Sequence, residues 1–390
     1  MPVVKRIADY AEDMKRWRQQ LHKHPELLFD CHQTSTFVID KLKEFGVDEI
    51  HEKIAKTGVV AVINGQGEGS GTTLGLRADM DALPMQETTG LEHASIYEGK
   101  MHACGHDGHT TMLLGAARYL AETRNFSGQV VLIFQPAEEG GGGAEVMVKE
   151  GIMDRFGITE VYAMHISTEA CAGHFYTMPG AIMAAVDSFE INIKGLGGHG
   201  ASPQNTVDPL VAGVGIATAI QTIISRNHDP RQDAVCSVTQ FHAGTTHNVI
   251  AETAFIGGTI RTFDKGDRQM ILRRLREVAE GQASAYNCEV EVKIEEGYPA
   301  TVNDPKKTEF AVEAAKEVVG ESAVNGNTGK ELGAEDFAFM LEARPGSYVF
   351  LGQGEGIGVH NPKFDFNDDI SPYGASFFAR IVERAQPVDA

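Results

Sequence analysis

Cys104, His106, Asp107 and His109 fall within six residues, in the run Cys104-Gly-His-Asp-Gly-His109. Farther along the chain stand the pair Glu138-Glu139, then His165, then His360. Thiolate, imidazole and carboxylate are the side chains that hold borderline divalent cations such as zinc. Two adjacent glutamates offer a ligand and, one residue away, a general base. The chemistry this set implies is metal-assisted hydrolysis with water as the nucleophile.

Each part alone has a plainer reading. A single histidine such as His165 usually serves structure through hydrogen bonds. A single Cys104 would pack as a small apolar residue, and Glu138-Glu139 would sit in a solvated turn. The combination is what points to a metal. A thiol hydrolase with Cys104 as nucleophile is the sharpest rival. It leaves Glu138-Glu139 and His360 without a role, and its cysteine and histidine would lie two residues apart, whereas catalytic pairs of this kind usually meet across the fold.

The elements that must position these residues are legible as periodic stretches. Val3–His22 and Gln33–Phe45 read as amphipathic helices, with Gly46 as the stop after the second. Gly58–Asn64 and Thr72–Ala78 read as strands, and the Gly65–Gly71 stretch between them as a hairpin turn rather than a dinucleotide loop, because it leads into a strand. His109–Thr123 is a helix; Gly128–Phe134 and Glu160–Met164 are continuous apolar strands. Alternating strands and helices of this type predict an α/β fold with a mostly parallel sheet. In such sheets ligands bind beyond the carboxyl ends of the strands. Asp79 and Asp81, Glu138 and Glu139, His165 and His360 all follow predicted strands, while Cys104 and His106 precede a helix.

The pattern changes near Ala185. Ser188–Lys194, Ala234–Phe241, Thr253–Thr262 and Glu289–Glu295 alternate as half-buried strands, with helices over Asp208–Ile224 and Lys265–Tyr286. The order strand-helix-strand-strand-helix-strand predicts an inserted ferredoxin-like α+β domain. The first pattern resumes with helices over Lys307–Val319 and Ala334–Leu341, a strand over Ser347–Leu351 and a helix after Ser371. The expected boundaries are 1–184 and 298–390 for the first domain and 185–297 for the insert. A length of 390 residues suits two cores.

Composition excludes some partners. With 34 basic and 54 acidic side chains, the net charge of −20 repels nucleic acid and anionic membrane. An anionic substrate would then need a local basic residue. Five irregularly spaced cysteines suit a reducing compartment better than a disulfide framework. Met1–His24 lacks the apolar core of a signal peptide, and no apolar run approaches the ~20 residues that span a bilayer. A cytoplasmic protein is expected.

These residues match a known pattern. The chain resembles, from end to end, the dinuclear metal amidohydrolase and peptidase family of aminoacylases, hippurate hydrolases, indole-acetyl-amino-acid hydrolases and zinc carboxypeptidases. The likeness is carried by Leu21-His-Lys-His-Pro-Glu26, Arg77-Ala-Asp-Met-Asp-Ala-Leu-Pro84, Met101-His-Ala-Cys-Gly-His-Asp-Gly-His109 and Gln135-Pro-Ala-Glu-Glu-Gly140. It continues through Gly197-Gly-His-Gly-Ala-Ser-Pro203, Asn248-Val-Ile-Ala251, Gly258-Thr-Ile-Arg261, Gly333-Ala-Glu-Asp-Phe337 and His360-Asn-Pro362, and it points to the hippurate-hydrolase-like branch.

The resemblance implies a three-layer αβα metallopeptidase-like domain and an inserted lid and dimerisation domain. It implies two divalent metal ions held by Cys104, His106, Glu139, His165 and His360, with Glu138 as general base. Other branches carry a ligating histidine in a His-x-Asp motif where this chain has Asp79; here Asp79 and Asp81 are expected to orient the site. Cysteine favours zinc, while similar enzymes also use manganese, cobalt or nickel. His199 would stabilise the oxyanion, often in the partner subunit, and Arg261 with Asn248 would hold the substrate carboxylate. The implied substrate is a small N-acyl amino acid and the implied assembly a homodimer or higher homo-oligomer through the lid domain. A carboxypeptidase or dipeptidase on the same site is the alternative. A catalytically inactive binding protein on this fold would have lost Glu138 or a ligand, and none is missing.

Other residues in these motifs read as structural. His22, His24, Glu335 and Asp336 are assigned to helix packing or capping, and His102, Asp107 and His109 to supporting the ligands. The Gly140–Gly143 run lets backbone approach the metal loop. His247, beside Asn248, would line the substrate cleft.

Overall fold

A computed structural model describes residues 3–67, 69 and 71–388. By contact the chain divides into two units: 1–182 with 302–329 and 336–390, and 183–301 with 330–335. The short return of 330–335 to the second unit is not anticipated by the sequence pattern.

The first unit is built on an eight-stranded sheet. Its order is Glu49–Ile54, Gly58–Asn64, Gln129–Gln135, Thr73–Asp79, Glu160–Ser167, Gly346–Gly352, Phe175–Tyr176, Val324–Asn325. The four strands from Gln129–Gln135 to Gly346–Gly352 run parallel. Thr73–Asp79 is buried along its whole length, as a parallel strand covered on both faces must be. Val130, Leu132 and Phe134 share a core with residues of the helices Ala11–Lys23, His106–Thr123 and Ser371–Ala385. The helices Gly143–Lys149 and Ala338–Ala343 pack on each other, and the first of them also contacts Gln129–Gln135. The layers are thus helix, sheet, helix.

Three sequence expectations change here. Gly65–Gly71 is no hairpin turn, because Gln129–Gln135 lies between the two strands it joins, antiparallel to one and parallel to the other. Gly65 N–H instead bonds Gly128 O (2.7 Å) and Gln66 N–H bonds Phe126 O (2.6 Å), which ties the stretch to the entry of that middle strand. Glu68 and Ser70 of this stretch lie outside the described residues. The N-terminal helix is broken into Lys5–Ala8 and Ala11–Lys23 by a tight turn in which Tyr10 N–H bonds Ile7 O. The helix expected over Ala334–Leu341 begins only at Ala338, because Asp336 is held by buried partners described below.

The second unit is a four-stranded antiparallel sheet, ordered Ala234–Ala243, Thr253–Thr262, Ala185–Lys194, Glu289–Glu296. Two helices, Pro209–Thr222 and Lys265–Ala285, cover one face. Ile191 and Ile193 of the sheet join Ile216, Ile220, Leu275 and Ala279 of the helices in one core. Asp208 and Asp264 cap the two helices, each accepting two backbone N–H groups of the first turn. Sequence order and strand order together give the ferredoxin-like topology. The first helix continues through a π turn to Asn227, and an 18-residue window of Pro209–Asn227 has a mean hydropathy of 1.3. By length and composition alone this helix is apolar enough to cross a membrane, a test that core helices also pass, and 33% of the window is buried.

Candidate metal centre

The parallel strands of the first unit deliver their carboxyl ends to one edge. Thr73–Asp79 ends on Asp79, with Asp81 two residues on; Glu138 and Glu139 follow Gln129–Gln135; His165 lies in the last turnings of Glu160–Ser167; His360 lies in the loop after Gly346–Gly352. His106 is the first residue of its helix, presented by Gly105 in a left-handed conformation (φ 91°) that leaves no room for a Cβ against Ile166.

The edge gathers ligand-type atoms into overlapping triads. Cys104, His106 and His165 form one, and Cys104, Glu139 and His360 another, with all atoms of each triad within 4.8 Å of one another. His106, Glu138 and Glu139 form a third of the same size. Cys104 Sγ lies 3.3 Å from His165 Nε2, and His360 Nε2 lies 3.3 Å from Glu139 Oε1. The sulfur shared by two triads is the arrangement a pair of cations would need.

Backbone contacts decide which nitrogen each histidine offers. His106 Nδ1 donates to Asp81 O (2.8 Å) and His165 Nδ1 to Ile166 O (2.7 Å), which turns both Nε2 atoms toward the cluster. His106 Nε2 is buried and has no hydrogen-bond partner among the described residues. His109 differs. Its Nδ1 donates to Asp79 Oδ1 (2.7 Å) and its Nε2 accepts the Ile166 N–H (3.0 Å), so both ring nitrogens are used and neither is left for a ligand.

Asp81 presents the glutamate pair. Its two carboxylate oxygens accept the backbone N–H groups of Glu138 (3.0 Å) and Glu139 (3.1 Å). Ala137 just before them is in the left-handed region (φ 58°), as is His360 (φ 57°). Such strain persists where surroundings over-determine it, as at functional sites. Gly143 closes the same loop; a Cβ there would lie 1.7 Å from Pro136 O, so the close approach expected of the glycine run is real at that position.

The electrostatics follow from burial and charge. Burial pushes the Cys104 thiol up to about 12, which disfavours a free thiolate nucleophile at neutral pH. Burial lowers His165, keeping it a neutral imidazole. Burial opposes charge on His106 too, yet Asp79 and Asp81 raise it well above its ordinary value. The carboxylates thus call for positive charge at that spot. Burial alone would raise Asp79, but His106, His109 and Arg77 hold it well below the usual carboxylate range. The donor set and the unpartnered His106 Nε2 fit a divalent cation.

Residues assigned to packing turn out to form a buried network behind the helix start. His22 Nδ1 lies 2.8 Å from Asp107 Oδ2, and its Nε2 lies 3.4 Å from Glu87 Oε2. Burial opposes protonation of His22, yet Asp107 and Glu87 raise it to about 9. Arg18, fully buried, binds Asp365 and Asp368 nearby.

The remaining candidates lie in the second unit. Gly198–His199 pairs with Val249–Ile250, and Gly200 N–H bonds Asn248 O (2.8 Å), so His199 and Asn248 are neighbours. His199 is exposed, and its Nδ1 accepts the Ala201 N–H (3.0 Å). Arg261 donates from Nε to Leu332 O (3.2 Å) and from Nη1 to Thr259 Oγ1 (2.5 Å) and Ile260 O (3.0 Å). His247 is exposed, one residue before Asn248.

Sequence reasoning missed the buried cluster of Arg77, Gln135 and Asp336. The available signal was a charged residue, Arg77, inside the apolar run Leu74-Gly-Leu-Arg-Ala78.

The profile of peptidase family M20/M25/M40 matches residues 75–384, and the chain belongs to that family. It is 40% identical over 381 residues to a hippurate hydrolase of Campylobacter jejuni, covering 98% of each chain. It is also 40% identical over 389 residues to thermostable carboxypeptidase 1 of Saccharolobus solfataricus, covering 96% of this chain and 97% of that one. Among solved structures, a Bacillus subtilis protein described as a dinuclear metal binding peptidase of family M20 superposes with a TM-score of 0.85 at 34% identity, covering 97% of this chain and 99% of the other.

Proposed function

We propose that this chain is a metal-dependent amidohydrolase that cleaves N-acyl amino acids to a carboxylate and a free amino acid. The observation that carries the reading is the pair of ligand triads sharing Cys104, with Glu138 presented beside them by Asp81. Cys104, His106, Glu139, His165 and His360 would hold two divalent ions, zinc or manganese. Bound there, such ions polarise an amide carbonyl and bring the pKa of a water toward neutrality.

The chain's own groups do the rest. Glu138 takes the proton of the attacking water and delivers it to the leaving nitrogen. His199, with Nδ1 occupied by the Ala201 N–H, carries its proton on Nε2 and donates a hydrogen bond from it to the oxyanion of its own or a partner subunit's substrate. Arg261 and Asn248 fix the amino acid's carboxylate, which supplies the local positive charge that the acidic chain otherwise lacks. The second unit acts as lid and dimerisation domain.

A peptidase reading is favoured by the Saccharolobus carboxypeptidase at 40% identity and by the Bacillus structure described as a peptidase. The two are separated by hydrolysis of N-acetyl, N-benzoyl and indole-acetyl amino acids beside dipeptides, using chelator-stripped protein re-supplied with zinc or manganese. Metal-restored release of amino acid from the acylated compounds is expected. Cleavage of dipeptides alone would make it a peptidase, and no turnover by folded, metal-loaded protein would overturn both.

A further inference from the structure

Asp336 is fully buried in the first unit, two residues before the helix Ala338–Ala343. Its carboxylate accepts from Gln135 Nε2 (2.8 Å to each oxygen), from Arg77 Nη2 (2.9 Å) and from the Ala144 N–H (2.9 Å). Gln135 ends the strand that leads into Pro136-Ala-Glu-Glu139, and Ala144 is the second residue of the helix Gly143–Lys149 that follows the loop. One carboxylate therefore ties both ends of the loop that carries Glu138 and Glu139.

Arg77 extends the tie sideways. It gives Nε to Gln135 Oε1 (2.7 Å) and Nη1 to Asp79 Oδ2 (2.7 Å). Asp79 in turn holds His109 and lies 3.8 Å from His106 Nε2. A carboxylate oxygen of Asp336 also lies within 4.8 Å of one of Glu138. The glutamate loop and the strand end beside His106 are thus cross-braced through Arg77, which is ion-paired in the interior with both Asp336 and Asp79. Stability is a poor explanation for it, since buried ion pairs are often matched or exceeded by apolar replacements of similar volume. Geometry is the better one, because groups behind metal ligands fix ligand orientation.

We infer that Asp336 is a positioning residue that, through the loop ends and through Arg77, sets the spacing between the Glu138–Glu139 pair and His106. The inference rests on the metal-centre reading above. The test uses the full chain and the variants Asp336→Asn, Arg77→Met, their double mutant and Gln135→Met. Zinc and manganese affinities are measured by chelator competition on metal-free protein, kcat and KM on the best acylated substrate, and folding by circular dichroism.

Asp336→Asn is expected to bind metal about 10- to 100-fold more weakly and to lose kcat with KM within about twofold, because it touches no substrate. The double mutant should be no worse than the worse single, since both residues serve one brace. Gln135→Met cuts a loop tie and leaves both charges, so a smaller loss in the same direction is expected; it decides the matter if Asp336→Asn does not fold. Unchanged metal affinity in a folded variant, or losses that simply add, would overturn the inference. If wild-type protein binds metal but turns over no substrate, the affinities still test the brace while the proposed function fails. If it binds no metal, the metal-centre reading fails first and this inference with it.

Discussion

Replacing His22 with glutamine should destabilise the fold at acidic pH and hardly at alkaline pH. His22 is buried between Asp107 and Glu87, and its folded-state pKa stands at about 9 against an ordinary 6.5. A group raised in this way stabilises fully below its unfolded value and loses that contribution as pH rises through its folded one. The span of about 2.5 pH units, at about 1.4 kcal/mol each, corresponds to about 3 kcal/mol. Urea denaturation of metal-free wild type and His22→Gln, followed from about pH 6 to about pH 9.5, gives the difference directly. Wild type should be the more stable by about 3 kcal/mol at the acidic end, with the gap nearly closed at the alkaline end. A gap that is constant or widens with pH would refute a charged His22. Glu87, lowered to about 2 with His22 among the causes, supplies the opposite limb, present above the ordinary carboxylate range and lost only in strong acid.

Other outcomes follow from the same geometry. Glu138→Gln should lower kcat by about 10²- to 10⁴-fold with metal content unchanged by elemental analysis; retained turnover would remove it as the base. Arg261→Ala should raise KM about 10- to 100-fold, the range of a charge-assisted pair, for substrates with a free carboxylate. An equal rise for the carboxamide analogue would argue against the clamp. Mixing inactive His199→Ala and Glu138→Ala chains should restore some activity if His199 serves a partner's site, and proven heterodimers without recovery would place it in cis. Ala137→Gly relieves a left-handed alanine and should raise stability by up to about 1 kcal/mol; a clear loss in urea midpoint would mean the alanine methyl matters for packing.

The convergence of chemistry at one sheet edge was legible because it follows from local signals. Apolar runs mark the strands, and Asp79, Glu138 and His360 follow them in sequence, so parallel strands must carry them to the same side. The ferredoxin-like insert was legible for the same reason, from its period-2 strands and two helices. Strand order was not. Gly58–Asn64 and Thr73–Asp79 look like hairpin partners, and only the non-local claim of Gln129–Gln135 separates them. Asp336 was misread for a related reason. An acidic residue near the start of an expected helix is ordinarily assigned to packing or capping, and nothing nearby in sequence reveals that Arg77, Gln135 and Ala144 meet it in the interior. The tautomer of His109 is equally hidden, because its second partner is a backbone amide of Ile166.

The pairing of Gly346–Gly352 with Glu160–Ser167 has a consequence for how the chain is made. The two strands stand on opposite sides of the inserted domain, so during synthesis the earlier one waits for the later. In that interval its edge offers unpaired backbone groups to any neighbouring chain. Long-range parallel pairing is slow to form and exposed to aggregation while it does so. His360 also arrives after that late strand, so the segment that seals the sheet is followed at once by the one that completes the triad with Cys104 and Glu139. A nascent chain lacking its last fifty or so residues would thus be both adhesive and inactive, and one folding event ends both conditions.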